Sequence, residues 1–194
     1  FGPESNWTYE IGAKNTLLDG RMILNVALFQ IDWSDMQITS LPSNTPPALI
    51  RNTPVIFLNL GNAASRGIEL QTAYAITDRF SVNLAASFID PKFTGGTRSL
   101  RFNPAPGCDG VVCPLDLSVD GNTLPRTPKT QIAAGAEWAS TFGNDFEFFA
   151  RGDVTYQSEM QIDEMNIGQI QPRALVNARL GVSKDGWSAD LWAR

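Results

Sequence analysis

The chain has 194 residues with 15 Lys and Arg against 20 Asp and Glu, a net charge of −5, and no histidine. The acidic balance and the lack of a basic stripe argue against nucleic acid. Without histidine there is no Ser/His or Cys/His catalysis and no imidazole metal ligand. No run of 18 or more apolar residues makes a membrane helix, and no Gly-x-Ser-x-Gly elbow marks a hydrolase. No catalytic residue, metal or cofactor is therefore expected.

The first element is predicted over Trp7 to Lys14. Trp7, Tyr9, Ile11 and Ala13 alternate with Thr8, Glu10, Gly12 and Lys14. A strand has period two, so one face is apolar and the other polar. Leu18-Asp19-Gly20-Arg21 then reads as a tight turn, because Gly tolerates the positive φ such turns demand. The next strand spans Met22 to Ile38, and its phase is ambiguous. Leu24, Val26 and Leu28 set one phase, while Phe29, Ile31 and Trp33 set the other. Either a β-bulge near Leu28-Phe29 shifts it, or Phe29 and Ile31 point to the polar side against other packing.

A long connection follows, from Thr39 to Asn62. Alternation returns at Ile68 to Ile76, and a short turn at Thr77 to Phe80 leads into Phe80 to Phe88. The longest connection runs from Asp90 to Arg126. It carries Cys108 and Cys113, with four residues between them. They are expected to close a small disulfide ring in an oxidising compartment. The alternative is a redox or metal pair, and two thiolates without further ligands make a poor zinc site. Strands are predicted at Gln131 to Trp138 and Phe146 to Tyr156, joined by a short turn over Ala139 to Asp145. A long connection from Gln157 to Pro172 precedes Leu175 to Val182. A turn at Ser183 to Gly186 leads into an eighth strand, within which the sequence stops at Arg194.

Connections thus alternate short and long, giving about eight antiparallel strands in four hairpins. That combination is the signature of a transmembrane β-barrel, with short turns at one rim and long loops at the other. Phe80, Trp138, Phe146, Phe148 and Trp187 fall near the short-turn rim on the apolar face. Trp7, Tyr9, Phe88 and Tyr156 fall near the other rim, so two aromatic girdles are expected. Small residues such as Ala13, Ala86, Ala134, Ala136, Ala150 and Ala178 lie between them. The opposite face carries Glu10, Lys14, Glu69, Arg151, Asp153 and Arg179, with Gln71, Asn83, Gln131, Glu137, Glu147 and Asn177. Charge is costly on a lipid face and tolerated in a wet lumen. These charges read as structural pairs in the lumen. Arg51, Arg66, Arg98, Arg101 and Arg126 lie in or beside the long loops and are candidates to meet an anionic ligand. The plainer reading of each is a solvated or lipopolysaccharide-facing loop charge.

Several phrases, in order, are similar to the barrel of TonB-dependent outer-membrane receptors. They are Tyr9-Glu10-Ile11-Gly12-Ala13-Lys14, Leu24-Asn25-Val26-Ala27-Leu28-Phe29, and Asn62-Ala63-Ala64-Ser65-Arg66-Gly67-Ile68-Glu69. Further along come Leu124-Pro125-Arg126-Thr127-Pro128-Lys129, Arg151-Gly152-Asp153-Val154-Thr155-Tyr156, and Leu175-Val176-Asn177-Ala178-Arg179-Leu180-Gly181. The resemblance implies a Gram-negative outer-membrane receptor that takes up a scarce ligand, such as a ferric siderophore, vitamin B12 or a sugar. It implies partners in outer-membrane lipid and in the TonB–ExbB–ExbD complex, reached through an N-terminal region not in this sequence. Residues 1–194 would be a C-terminal portion of a barrel of about 22 strands, without the plug domain and the final strand. Other readings are a passive porin or small closed barrel, an outer-membrane hydrolase, and a soluble ligand-binding sandwich.

Overall fold

The computed structural model describes residues 1–40, 56–97, 118–143 and 145–194. The described residues contain no helix. Eight strands form one antiparallel sheet: β1 (Ser5–Leu17), β2 (Met22–Ser40), β3 (Ile56–Thr77), β4 (Phe80–Thr94), β5 (Thr130–Phe142), β6 (Phe146–Gln157), β9 (Arg173–Lys184) and β10 (Trp187–Ala193). Each pairs with its neighbour in the chain, in the order β1-β2-β3-β4-β5-β6-β9-β10. A separate ribbon of β7 (Met160–Gln161) and β8 (Gln169–Ile170) lies in the last long connection.

The tight turns form where the sequence supplies positive φ. Leu18, Asp19 and Gly20 sit at φ 54°, 54° and 87°, and Asp185 and Gly186 at 48° and 84°. The Arg21 amide donates to the Leu18 carbonyl at 3.1 Å, which closes the first turn. The turn expected over Ala139 to Asp145 is shorter, because β5 continues to Phe142 in register with Phe146. The first two long connections begin later than expected, while the third lies between Gln157 and Arg173 as expected. Pairing continues to Asn62↔Thr94 and to Ser40↔Ile56. The strands therefore rise well past the aromatic belt at their loop end.

The phase of β2 resolves without a bulge at Leu28-Phe29. Pairing with β1 is unbroken from Met22 to Ser34, and with β3 from Met22 to Trp33. The register shifts only between Trp33 and Gln37. Phe29 and Ile31 stay on the Glu10 face of the sheet.

That register defines two faces. On the outer one, Ala13, Val26, Leu70, Ala86, Ile132, Tyr156 and Ala174 make one row. Asn15, Leu24, Thr72, Leu84, Ala134, Val154 and Val176 make the next. Neither row contains a charge. These side chains have little to pack on: Ile11 is 73% exposed and Val176 67%. Buried hydrophobics among the described residues are only Ile38, Ala63, Ala86, Phe93 and Val119. A soluble sandwich would bury one face of each sheet. Here the apolar face is left bare, as a lipid-facing wall is. Strands β1 and β10 pair on one side only, so the sheet is open and does not close as an eight-stranded barrel.

The aromatic belts cross the sheet obliquely. Tyr9 on β1 and Tyr156 on β6 mark the loop-end belt, but Tyr156 lies in the row of Ala13, four residues along the strand from Tyr9. At the turn end, Tyr74 lies in the row of Ala193, six residues from Trp187. Each belt crosses five strand intervals. With a rise of about 3.4 Å per residue and about 4.8 Å between strands, the belts make an angle of about 30 to 40° with the hydrogen-bond rows. This matches the tilt of about 35 to 45° at which strands cross a bilayer. Phe146 and Tyr156 on β6 are ten residues apart. At that tilt they span about 26 to 30 Å along the normal, close to the apolar band of about 25 Å. The turn-end belt is itself packed. Trp138 meets Phe148 edge to face at 5.6 Å, Phe142 stacks on Phe146 at 5.7 Å, and Phe146 meets Trp187 at 6.0 Å.

Candidate functional site

The polar face, opposite the bare apolar one, is the candidate inner wall. At its centre Arg151 on β6 lies flat across the sheet. Its Nε donates to Asp153 at 2.9 Å, its Nη2 to the same carboxylate at 2.6 Å, and its Nη1 to Glu137 on β5 at 3.4 Å. Gly135 makes room for this. A Cβ there would stand 2.7 Å from both Asn83 Oδ1 and Asp153 Oδ1. Arg179 on β9 donates to Asp190 on β10 at 2.7 Å and sits over the Phe149 ring at 5.2 Å. Ser183 donates to Glu147 at 3.0 Å. These side chains are about one-third to one-half exposed, so each pair contributes at most about 1 kcal/mol. Their role is to fix a polar surface rather than to hold the fold.

The expected lumen charges are therefore not one cluster. Arg151, Asp153 and Glu137 come together, and Arg179 pairs separately with Asp190. Glu10 and Lys14 share the face but stand on β1, five strand intervals from β6, and join neither group. Glu69 on β3 borders a shallow concavity of about 450 Å³ with Gln71, Ser87, Gln131, Thr155 and Arg173. Asp190 was missed in the sequence because β10 is short. Its signal is the alternation of Ser188 and Asp190 with Trp187, Ala189 and Leu191.

At the loop end the inner face turns apolar. Ile38, Phe93 and Val119 form a small core, with Met36, Leu124 and Met165 packed on it. Polar side chains lock the loops to it. Asp120 accepts from the Gly96 and Thr97 amides, both at 2.8 Å. The Thr97 hydroxyl shares its proton between the Thr94 carbonyl at 2.6 Å and the Asn62 carbonyl at 2.8 Å, and accepts from the Asn62 amide at 2.8 Å. Asn166 accepts from the Thr123 amide at 2.8 Å and returns a bond to the Thr123 carbonyl at 2.9 Å. A cleft of about 640 Å³ opens here, lined by Trp33, Phe93, Leu124, Arg126, Ile162 and Asp163. Arg126 holds a φ of 58° and its amide donates to Gln161 at 2.7 Å. It is the one described loop arginine of the expected set that lines this cleft. Arg66 pairs in register with Gln30 and Asp90, in the row of Tyr9, and so lies on the outer face. Arg51, Arg98, Arg101, Cys108 and Cys113 lie outside the described residues.

An unbranched, bare apolar wall backed by a polar face and a loop-end cleft is the anatomy of a membrane barrel wall. The comparisons agree. Residues 1–194 match the family model for the TonB dependent receptor-like β-barrel. A probable TonB-dependent siderophore receptor, PiuA of Acinetobacter baumannii, is 24% identical over 127 residues, covering 66% of this chain and 14% of that protein. The metal-pseudopaline receptor CntO of Pseudomonas aeruginosa is 32% identical over 94 residues, covering 48% of this chain and 12% of that protein. The crystal structure of the ferric yersiniabactin uptake receptor FyuA from Yersinia pestis superposes with a TM-score of 0.67 at 18% identity, covering 92% of this chain and 22% of that one. The chain spans only 12 to 22% of the length of these relatives. By its sequence along its whole length, and by its fold, the chain belongs to the TonB-dependent receptor β-barrel family.

Proposed function

We propose that the chain is a wall segment of an outer-membrane receptor that imports a scarce metal chelate, a siderophore complex foremost, with energy delivered through TonB. The observation that carries the reading is the division of one sheet into a charge-free outer band between two aromatic belts and a polar inner face beneath a loop-end cleft. The relatives' names, which describe siderophore and metal receptors, favour that ligand class. The chain supplies a C-terminal portion of a barrel of about 22 strands, whose plug and TonB-contacting segment belong to the rest of the protein. The inner charges face the plug or the translocation path. Arg126 presents a cation to an anionic chelate. Cys108 and Cys113 form a disulfide in the outer loop.

Uptake of radiolabelled ferric chelates by cells that produce the full-length protein tests the function. The expected result is accumulation that stops when the inner membrane is de-energised or TonB is deleted. Uptake that persists under both treatments would make the protein a passive porin. Sidedness is tested in the same cells by single cysteines and an impermeant maleimide. Residue 163 is expected to label and residue 185 to stay protected. The reverse pattern would overturn the placement of long loops outside.

A further inference from the structure

The outer face carries a charged patch that the uptake path does not use. Ile11, Leu28, Ile68 and Phe88 make the last apolar row toward the loop end. The next row is Tyr9, Gln30, Arg66 and Asp90, and the one beyond it is Trp7, Asp32, Ala64 and Lys92. Arg66 thus projects outward two residues above Ile68, just past the apolar band. The two carboxylates beside it already have partners. Asp90 is bridged by Lys92 at 2.8 Å, and Asp32 accepts from Gln30 Nε2 at 2.9 Å on each oxygen. Arg66 is exposed and makes no hydrogen bond or ion pair with any described residue. A free guanidinium fork at the level where headgroups begin matches a phosphate in geometry and in charge.

We propose that Arg66 binds the phosphate of a phosphorylated glycolipid of the outer leaflet, with Lys92 holding Asp90 away from it. The site rests on the membrane reading above, with the loop end outward, but not on the identity of the imported ligand. Arg66 is then an anchor to the surrounding lipid and takes no part in ligand capture.

The test uses the full-length protein in phosphatidylcholine nanodiscs doped with diphosphorylated lipid A or with its dephosphorylated form. Bound glycolipid is counted by native mass spectrometry. Retention of the diphosphorylated form is expected to fall about tenfold in Arg66→Gln, the order of one charge-assisted hydrogen bond at a wet surface. It is expected to rise in Asp90→Asn, which removes a negative charge beside the site and frees Lys92. The dephosphorylated lipid is expected to bind all three proteins alike, and inorganic phosphate to displace nothing. Equal retention by the wild type and Arg66→Gln would overturn the site. Displacement by inorganic phosphate would overturn the lipid as its occupant. Chelate uptake that is lost in Arg66→Gln with lipid retention unchanged would return the residue to the ligand path. Heat-modifiable mobility, read in the same samples, reports the folded barrel on which the uptake proposal depends, and is expected to be equal in all variants.

Discussion

Ala134→Arg is expected to cripple assembly of the barrel, while Gln131→Arg leaves it almost unchanged. The two positions are three residues apart on β5 and face opposite ways. Ala134 lies in the outer row of Leu84 and Val154, midway between the aromatic belts. Arg at the bilayer midplane on the lipid face costs about 2 to 4 kcal/mol. That is a factor of about 30 to 700 in the folding equilibrium, at 1.4 kcal/mol per tenfold. Gln131 lies in the inner row with Ser87 and Gln157 and borders the open concavity with Glu69 and Arg173. An Arg there stays hydrated. The measurement is the heat-modifiable folded fraction of the full-length protein in outer-membrane preparations. Equal yields, or a poorer yield for Gln131→Arg, would mean that β5 has the opposite phase.

The alternation that predicts this was legible because a membrane wall has one simple requirement per face. Between the belts every outward residue must be uncharged and every inward one tolerates water, so Ile132, Ala134 and Ala136 declare their side without help from contacts. Past the belts that requirement lapses. Asp90 and Lys92 point outward as polar residues, so the pattern reads as loop from Asp90, although pairing runs on to Thr94. The same lapse hid the position of Arg66. It shares parity with Ile68 and Leu70, but its place beside a long connection suggested a loop arginine. On β2 the pattern misled in the other direction. Phe29, Ile31 and Trp33 are apolar and face inward, with Phe29 over Gly67 and Trp33 lining the loop-end cleft. Apolar residues on both faces of one strand look like a phase shift. The inner ion pairs were legible as residues but not as partners, because partnership depends on strand order: Arg179 meets Asp190 across the last hairpin, while Lys14 stands at the far edge of the sheet.

The glycines of the inner face explain how large side chains lie on a wall built from small ones, and one of them gives the second expectation. Phe29 on β2 is paired directly with Gly67 on β3, and Ile89 on β4 is paired with it from the other side. A Cβ at Gly67 would stand 2.6 Å from Phe29 Cζ and 2.8 Å from Ile89 Cγ2. Both are well inside van der Waals contact, so the ring lies across the strand where a side chain would otherwise be. Phe149 repeats the arrangement over Gly181. A valine normally favours a strand over glycine, because it packs on the pleated surface and loses less backbone entropy. At residue 67 the sign reverses. Gly67→Val is expected to lower stability by about 1 to 3 kcal/mol, as overpacking does elsewhere. Phe29→Ala removes the ring, and in that background the same substitution is expected to cost clearly less, with only the contact to Ile89 Cγ2 left to relieve. The pair would thus be coupled, as residues in contact are. Urea unfolding of the four full-length proteins in lipid vesicles closes the cycle. If Gly67→Val costs the same with and without the Phe29 ring, the ring does not lie over Gly67, and the inward phase of β2 fails with it.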